Sequence, residues 1–168
     1  LCQRYEKLYT GAVNDVMREL CLPYQALPAG IVPLRDEMVV CGEAFTIRSC
    51  KDPTLGGELE HRVKMLDEIH AHHICVWNAN GDECASHWGG VMTRASMRRG
   101  CRGAIIDGGI RDTKDILAQG FNIWYRYRTS TGALSHTKMV SYQTPITVGN
   151  VIIKPGDIVL ADIDGALV

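Results

Sequence analysis

The sequence predicts one mixed α/β domain with parallel strands at its centre, and three observations carry that reading. Between His73 and Tyr127, short apolar runs alternate with helical patterns in the order strand, helix, strand, helix, strand. Such alternation argues for parallel pairing through right-handed crossovers. The last third changes character, with short apolar runs separated by tight turns. The length of 168 residues, 46% hydrophobic and 22% charged, suits one core, and a chain of that size buries roughly 70% of its unfolded surface. No repeat, linker or low-complexity tract divides it, so residues 1–168 are read as a single domain. The chain opens at Leu1 without Met and stops inside a predicted strand over 164–168, which leaves room for trimming at both ends.

Residues 5–20 carry Leu8, Ala12, Val13, Val16, Met17 and Leu20 at helical spacing, with Thr10 or Asn14-Asp15 as candidate caps. Pro23, Pro28, Gly30 and Pro33 then impose a loop. Residues 38–48 read as a strand with a bend at Gly42, and 53–57 as a loop. Residues 58–70 form a mixed polar helix with Leu59, Val63, Leu66 and Ile69 on one face. His73–Asn78 is a short buried strand, 89–99 a helix closed by Gly100, and 103–107 the next strand. Thr113–Gln119 is a helix closed by Gly120, followed by a strand over 121–127. Residues 145–153 and 158–161 are strands, and Lys154-Pro155-Gly156-Asp157 between them fits a type II turn, with Pro second and Gly third.

Composition removes several function classes. A formal net charge of −1 gives no reason to expect nucleic acid or an anionic membrane as partner. The basic run Arg98-Arg99-Gly100-Cys101-Arg102 reads as a solvated helix end, where cations are favoured. The seven cysteines are odd in number, no two closer than nine residues, and form no Cys-x-x-Cys pair. Several, such as Cys75 in Ile74-Cys75-Val76-Trp77, sit in apolar runs, so reduced thiols and a cytoplasmic location are expected. No signal peptide opens the chain, and no apolar run approaches the roughly 18 residues of a membrane span. The absence of a Gly-x-Gly-x-x-Gly or Walker loop leaves nucleotide binding without support.

Two motifs carry the chemistry. Trp88-Gly89-Gly90-Val91-Met92 reads as a strand-to-helix turn whose free backbone N–H groups suit a carboxylate. Glycines remove the side chains that would hold a ligand off. Asp107-Gly108-Gly109-Ile110-Arg111-Asp112 reads as a buried strand ending at Asp107, followed by a turn with a permanent cation beside a hard oxygen ligand. That pair suits a keto oxygen and a divalent metal. Each has a plainer alternative: a loop-to-helix junction for the first, a surface ion pair with Asp112 as helix cap for the second. Ligands in parallel α/β layers collect at the carboxyl ends of strands. The ends after Asn78 and Asp107 lie on consecutive strands, which places both loops side by side. Together they describe a site for a 2-oxo acid held against a metal ion.

The histidines are weaker candidates. His70, His72 and His73 bridge a helix end and a strand start without Cys or carboxylate at ligand spacing, which favours a solvated terminus over zinc. His87 is close enough to the Gly-Gly turn to touch a ligand, and Asp82-Glu83 could contact metal-bound water.

These residues resemble the RraA-like family, which includes the class II 4-hydroxy-4-methyl-2-oxoglutarate / 4-carboxy-4-hydroxy-2-oxoadipate aldolases. The likeness runs through Gly42-Glu43-Ala44-Phe45-Thr46, His61, Asn80-Gly81-Asp82 and both glycine motifs, then Arg99-Gly100-Cys101-Arg102-Gly103. It continues in Pro145-Ile146, Lys154-Pro155-Gly156-Asp157 and Ala161-Asp162-Ile163-Asp164-Gly165. The resemblance implies an α-β-β-α sandwich of the swivelling phosphohistidine-domain type, assembled as homotrimers or pairs of trimers with sites between subunits. It implies that backbone amides of Gly89, Gly90, Val91 and Met92 hold the pyruvyl carboxylate. Arg111 would then contact substrate and steady enolate charge, with Asp112 binding Mg²⁺ or Mn²⁺. The activity implied is aldol cleavage of a 4-hydroxy-2-oxo dicarboxylic acid to pyruvate, with oxaloacetate decarboxylation at the same site. The chain departs from the family where Gly90 stands for an acidic residue common in its aldolases, and family members also draw acidic groups from a neighbouring subunit.

Two other readings stand beside it. The family's namesake regulators bind and inhibit a ribonuclease without catalysis; they lack the aspartate after the arginine, which this chain keeps as Asp112. A different 2-oxo-acid lyase on the same scaffold would use the His136, Arg126 and Arg128 region as a pocket wall, though that region equally suits a solvated strand edge.

Overall fold

The most apolar runs become the central strands of a mixed sheet. The computed structural model describes residues 1–56 and 58–168; the end of the predicted 53–57 loop lies outside them. In chain order the elements are α1 (Cys2–Tyr5), α2 (Thr10–Glu19), β1 (Val32–Pro33), β2 (Val40–Lys51), α3 (Leu59–Asp67), β3 (His73–Asn78), β4 (Ser86–Trp88) and α4 (Gly90–Arg98). There follow β5 (Gly103–Ile110), α5 (Thr113–Gln119), β6 (Asn122–Arg128), β7 (Thr137–Tyr142), β8 (Ile146–Val148), β9 (Val151–Ile153), β10 (Ile158–Asp162) and β11 (Gly165–Leu167). Nine strands form one sheet in the order β1-β6-β5-β3-β2-β10-β11, with β4 also on β5 and β7 also on β2. Strands β2, β3, β5 and β6 pair in parallel, as does β4 on β5. The remaining pairs in the sheet are antiparallel, so the architecture is mixed α/β.

The parallel centre is buried on both faces, which is why β3 reads as the unbroken run Ile74-Cys75-Val76-Trp77. Trp77, Trp88, Trp124, Phe45, Ile105 and Ile106 are fully buried in one hydrophobic cluster reaching from Leu27 to Ala166. Trp124 donates its indole N–H to the carbonyl of Asp162 at 2.7 Å. The Asp162 carboxylate in turn accepts the Thr10 backbone N–H and hydroxyl, both at 2.7 Å. That buried carboxylate starts α2, so the predicted 5–20 helix breaks after Tyr5 and resumes at Thr10. Thr10 is a donor to Asp162, and the helix has no side-chain cap of its own.

Other departures have local causes. In α3 the buried residue is Met65, with Ile69 just beyond the helix end, while Leu59 and Val63 are 74% and 47% exposed. The helix is turned because Arg62 lies over the Trp77 ring at 5.2 Å and His61 packs on Tyr142 at 5.5 Å. The strand predicted to end at Asp107 continues to Ile110. Gly108 and Gly109 serve close packing within it: a Cβ at Gly108 would lie 2.7 Å from Ala79 Cβ, and one at Gly109 2.6 Å from the Ala85 carbonyl oxygen. The turn at Lys154–Asp157 forms as expected, Asp157 N–H reaching the Lys154 carbonyl at 3.1 Å with Gly156 at φ 85°. All seven cysteines are free thiols. Among the described residues no helix is long and apolar enough to cross a membrane.

Gly42 lies inside a strand that runs unbroken from Val40 to Lys51, where it serves close packing. A Cβ there would overlap the His72 carbonyl oxygen and lie 2.9 Å from Ile74 Cγ1, so glycine lets β2 approach the chain entering β3. Gly42→Ala is expected to cost about 1–3 kcal/mol through overpacking, read as a lower urea midpoint; an unchanged midpoint would refute this role.

Candidate functional site

Strand register brings the two glycine motifs together. In β4, Ser86 and Trp88 pair with Gly109 and Ile110 of β5, and the Arg111 N–H donates to the Trp88 carbonyl at 3.0 Å. Both chains therefore leave the sheet at the same level. One turns through extended Gly89 into α4, the other through Arg111 and Asp112 into α5. Asp112 holds a left-handed backbone, φ 55° and ψ 33°, uncommon for a residue with a side chain and found at functional turns.

That conformation points the Asp112 carboxylate at the other turn. Its Oδ2 accepts the Gly90 N–H at 3.1 Å and lies 3.8 Å from Arg111 Nε. A Cβ at Gly89 would stand 2.7 Å from the same oxygen, and one at Gly90 would overlap the carboxylate of Asp115. Asp115 itself faces Arg94 at 3.4 Å. An acidic group thus borders Gly90 from α5, in the space a side chain at that position would fill.

Arg111 and Asp112 are 48% and 45% exposed and divide two clefts. The smaller, about 100 Å³, is lined by Gly89, Val91, Met92, Arg111 and Asp112, with Arg62 and His87 at its edge. The larger, about 480 Å³, is lined by Arg111, Asp112, Thr113, Arg128, Thr129 and Ser130. A Cβ at Gly132 would lie 2.8 Å from Arg111 Nη1, so the segment after β6 passes directly over the guanidinium. Of the expected anion-binding amides, Gly90 is engaged by Asp112; Val91 and Met92, in the first turn of α4, have no intrahelical acceptor for theirs. The Met92 side chain is buried and Val91 is exposed.

The site also fits a hard divalent cation. Among the described residues Asp112 Oδ1 takes no hydrogen bond, and no group of three or more His, Cys, Asp or Glu gathers anywhere. A cation here would have one protein carboxylate and otherwise water or ligand oxygens, as Mg²⁺ accepts. The His70-His72-His73 run builds no metal site: His70 N–H donates to His73 Nδ1 at 3.0 Å.

Beneath the turn lies a buried polar chain that sequence reasoning missed. Trp77 Nε1 donates to Ser49 Oγ at 3.1 Å, and Ser49 is 3.1 Å from His87 Nδ1. His87 Nε2 is 3.2 Å from Asp82 Oδ2, which also accepts Ala85 N–H at 2.8 Å and Tyr127 O–H at 3.1 Å. These partners assign the Nε2–H tautomer to His87. Its ring is therefore occupied on both nitrogens and buried, so it is not free for a ligand; Asp82 is also buried, with its Oδ2 accepting all three of these bonds. Burial pulls the His87 pKa down, outweighing the Asp82 carboxylate that raises it. For Asp82, burial pushes up, but hydrogen bonds from Ala85, His87 and Tyr127 leave the carboxyl below its ordinary value. Burial and then the Asp82 charge push the Tyr127 phenol up. Arg62 was also missed; its only trace in the sequence is Glu58 four residues earlier, its partner in the fold.

Because the folded His87 pKa lies below its ordinary 6.5, the folded state binds this proton less readily. Its contribution is complete above about pH 6.5 and is lost as pH falls through the lower folded value. The urea midpoint should fall between about pH 7.5 and 5.5, and His87→Gln should flatten that fall while His73, also lowered by burial, keeps its own part. An identical pH dependence in the variant would contradict a neutral, buried His87.

The RraA-like family model, described as Aldolase/RraA, matches residues 10–168. A Halalkalibacterium halodurans protein provisionally named a 4-hydroxy-4-methyl-2-oxoglutarate aldolase is 30% identical over 98% of this chain and 74% of its own. The Legionella pneumophila protein DlpA is 26% identical over 82% of this chain, which spans only 22% of that protein's length. Among solved structures, one described under novel cellulases from microbes of the gut ecosystem is 52% identical with a TM-score of 0.95, over 98% of this chain and 74% of that one. Streptomyces coelicolor RraAS2, described as an unusual member of the RNase ES inhibitor RraA family, is 26% identical with a TM-score of 0.88, over 98% of this chain and 82% of that one. With a match spanning both glycine motifs and nearly all the sheet, the chain belongs to the RraA-like family.

Proposed function

We propose that this chain is a divalent-metal-dependent carbon–carbon lyase. It cleaves a 4-hydroxy-2-oxo dicarboxylic acid to pyruvate through an enolate, and decarboxylates oxaloacetate at the same site. One observation carries the reading: Arg111, the Asp112 carboxylate and the start of α4 meet at a single point, with Gly90 N–H and Arg111 Nε both on Asp112 Oδ2. The names given to relatives at modest identity support it.

In this reading the first-turn amides of α4 around Gly89, Val91 and Met92 bind the pyruvyl carboxylate, where unpaired N–H groups and the helix dipole favour an anion. Asp112 would hold Mg²⁺ or Mn²⁺, which when bound supplies a Lewis acid at the keto oxygen. Arg111 aims its donors at the same oxygen, and its hold strengthens as enolate charge develops. Both aldol cleavage and loss of CO₂ generate that enolate, so one arrangement serves both. The packing of the 129–133 segment over Arg111 fixes the guanidinium's approach. The layered α-β-β-α sandwich, a single domain over 1–168, a trimer or pair of trimers and a cytoplasmic location belong to the same reading.

The ribonuclease-regulator reading draws on the likeness to RraAS2. The Asp112–Gly90 contact favours the enzyme, since a purely docking surface does not require a carboxylate in a left-handed turn. Glycoside hydrolysis needs two carboxyl groups flanking one bond, one of them a proton donor. Here the two clefts at Arg111 share the one carboxyl group of Asp112; a third, of about 580 Å³, is lined by both Asp112 and Asp115, but Asp115 faces Arg94 and each carboxyl is 45% exposed, unlike a desolvated acid.

Pyruvate release from 4-hydroxy-4-methyl-2-oxoglutarate and from oxaloacetate should depend on Mg²⁺ or Mn²⁺ and stop with chelator. Arg111→Gln and Asp112→Asn should each lower kcat/KM by about 10²–10³-fold with little change in melting temperature. Absence of metal-dependent turnover of both substrates would overturn the proposal, and release of reducing sugar from carboxymethylcellulose would favour the hydrolase.

A further inference from the structure

We propose that the larger cleft, on the far side of Arg111 from the Gly-Gly turn, is a subsite for the distal carboxylate of the substrate, with Arg128 as its specificity-determining cation. This rests on the lyase reading above, because it assumes that a 2-oxo acid head group is held at Arg111 and Asp112.

Volume separates the two ends of such a ligand. The cleft at Gly89, Val91 and Met92 is about 100 Å³, room for roughly three water molecules' share of liquid. It holds a carboxylate and little more. The adjoining cleft of about 480 Å³ shares Arg111 and Asp112 and lies in the range of small-molecule sites. A third cleft, of about 580 Å³, also borders Asp112 and holds Lys114 and Asp115, but Arg111 does not line it, so a ligand anchored on that guanidinium extends its remaining atoms toward Thr113, Arg128, Thr129 and Ser130.

The lining of that space selects an anion. Cross-strand register sets Arg128 opposite Ile110, the residue before Arg111, and Thr129 N–H donates to the Ile110 carbonyl at 3.0 Å. The two arginines thus leave neighbouring parallel strands at one edge. Arg128 is held from behind: its Nε donates to the Tyr125 hydroxyl at 2.9 Å, and its guanidinium lies 5.5 Å from the Tyr125 ring centre. The other arginines nearby are matched by carboxylates, Arg62 with Glu58, Arg126 with Asp107 and Arg94 with Asp115. Among the described residues Arg128 has no acidic group within salt-bridge distance. A guanidinium with an oriented stem, no internal counter-ion and three hydroxyl-bearing neighbours is suited to a second carboxylate. The substrate class is accordingly a 2-oxo acid whose chain ends in a carboxylate, rather than one with an apolar or neutral tail.

Calorimetric titration in Mg²⁺ buffer of 2-oxoglutarate against 2-oxovalerate, which replaces the distal carboxylate by a methyl group, isolates this subsite. Wild-type protein should bind 2-oxoglutarate about tenfold or more tightly over 2-oxovalerate. Arg128→Gln should erase that preference by weakening the diacid alone, Arg128→Lys should restore part of it, and Arg126→Gln, a neighbour paired with Asp107, should leave it intact. Arg111→Gln should weaken both ligands together. Equal affinities in wild type, or a preference that survives Arg128→Gln, would overturn the subsite while leaving the lyase reading in place. If neither ligand binds wild-type protein, the lyase reading fails and the subsite with it.

Discussion

A hydrogen bond from the Gly90 amide to the Asp112 carboxylate at 3.1 Å, beside that from Arg111 N–H to the Trp88 carbonyl at 3.0 Å, joins the two loop tips of the candidate site. It is possible only because β4 and β5 run in parallel and leave the sheet at the same level, and because Asp112 accepts a left-handed backbone. The glycines on the other side of the contact have a steric role. Side chains at Gly89 or Gly90 would collide with Asp112 or Asp115, so the acidic groups of α5 and the glycines of the first turn form one fitted surface. The same carboxylate caps the start of α4, faces Arg111 and keeps its second oxygen open. One residue thus fixes the helix start and, in the proposed lyase, would also hold the cation, from a backbone conformation uncommon for a residue with a side chain.

Below that surface, the chain Trp77–Ser49–His87–Asp82–Tyr127 ties β3, β2, β4, the segment preceding it and β6 to each other. Buried polar groups are costly unless each donor and acceptor is matched, and here both His87 ring nitrogens and the Asp82 Oδ2 have partners. The order Ser–His–Asp invites a nucleophilic reading, but the chain is sealed: Ser49 is 1% and His87 1% exposed, and Ser49 Oγ already accepts the Trp77 indole N–H. Its effect is positional. By fixing the segment from Asp82 to His87 against Tyr127, it sets the height at which Trp88 hands the chain to Gly89.

Much of the parallel centre was legible in the sequence because its determinants are local. His73–Asn78 and Thr113–Gln119 match prediction, one as a continuous apolar run and the other closed by Gly120 in a left-handed cap. Strands β4 and β7 were illegible because Ser86–Trp88 and Thr137–Tyr142 are short or polar and acquire extended structure only by pairing with β5 and β2. The face of α3 was legible only in part: Leu66 and Ile69 pack on the core as expected, but Leu59 and Val63 stay exposed because the ring of Trp77 and the carboxylate of Glu58 draw Arg62 inward, and no periodicity records that. At the site, the residues Arg111, Asp112 and the Gly-Gly turn were visible as motifs, and their proximity followed from strand order. What the sequence could not reveal was that Gly90 N–H is taken by Asp112, or that Gly108 and Gly109 pack inside a strand instead of forming the turn.

The central claim is that an anion and a hydrated cation meet between residues 89–92 and 111–112. A crystal structure of the protein grown with Mg²⁺ and oxalate tests it most directly. Oxalate should lie against the first-turn amides of α4 and the Arg111 guanidinium, with the cation about 2.1 Å from an Asp112 oxygen. Oxalate bound away from both turns, or a cation that leaves Asp112 untouched, would contradict it.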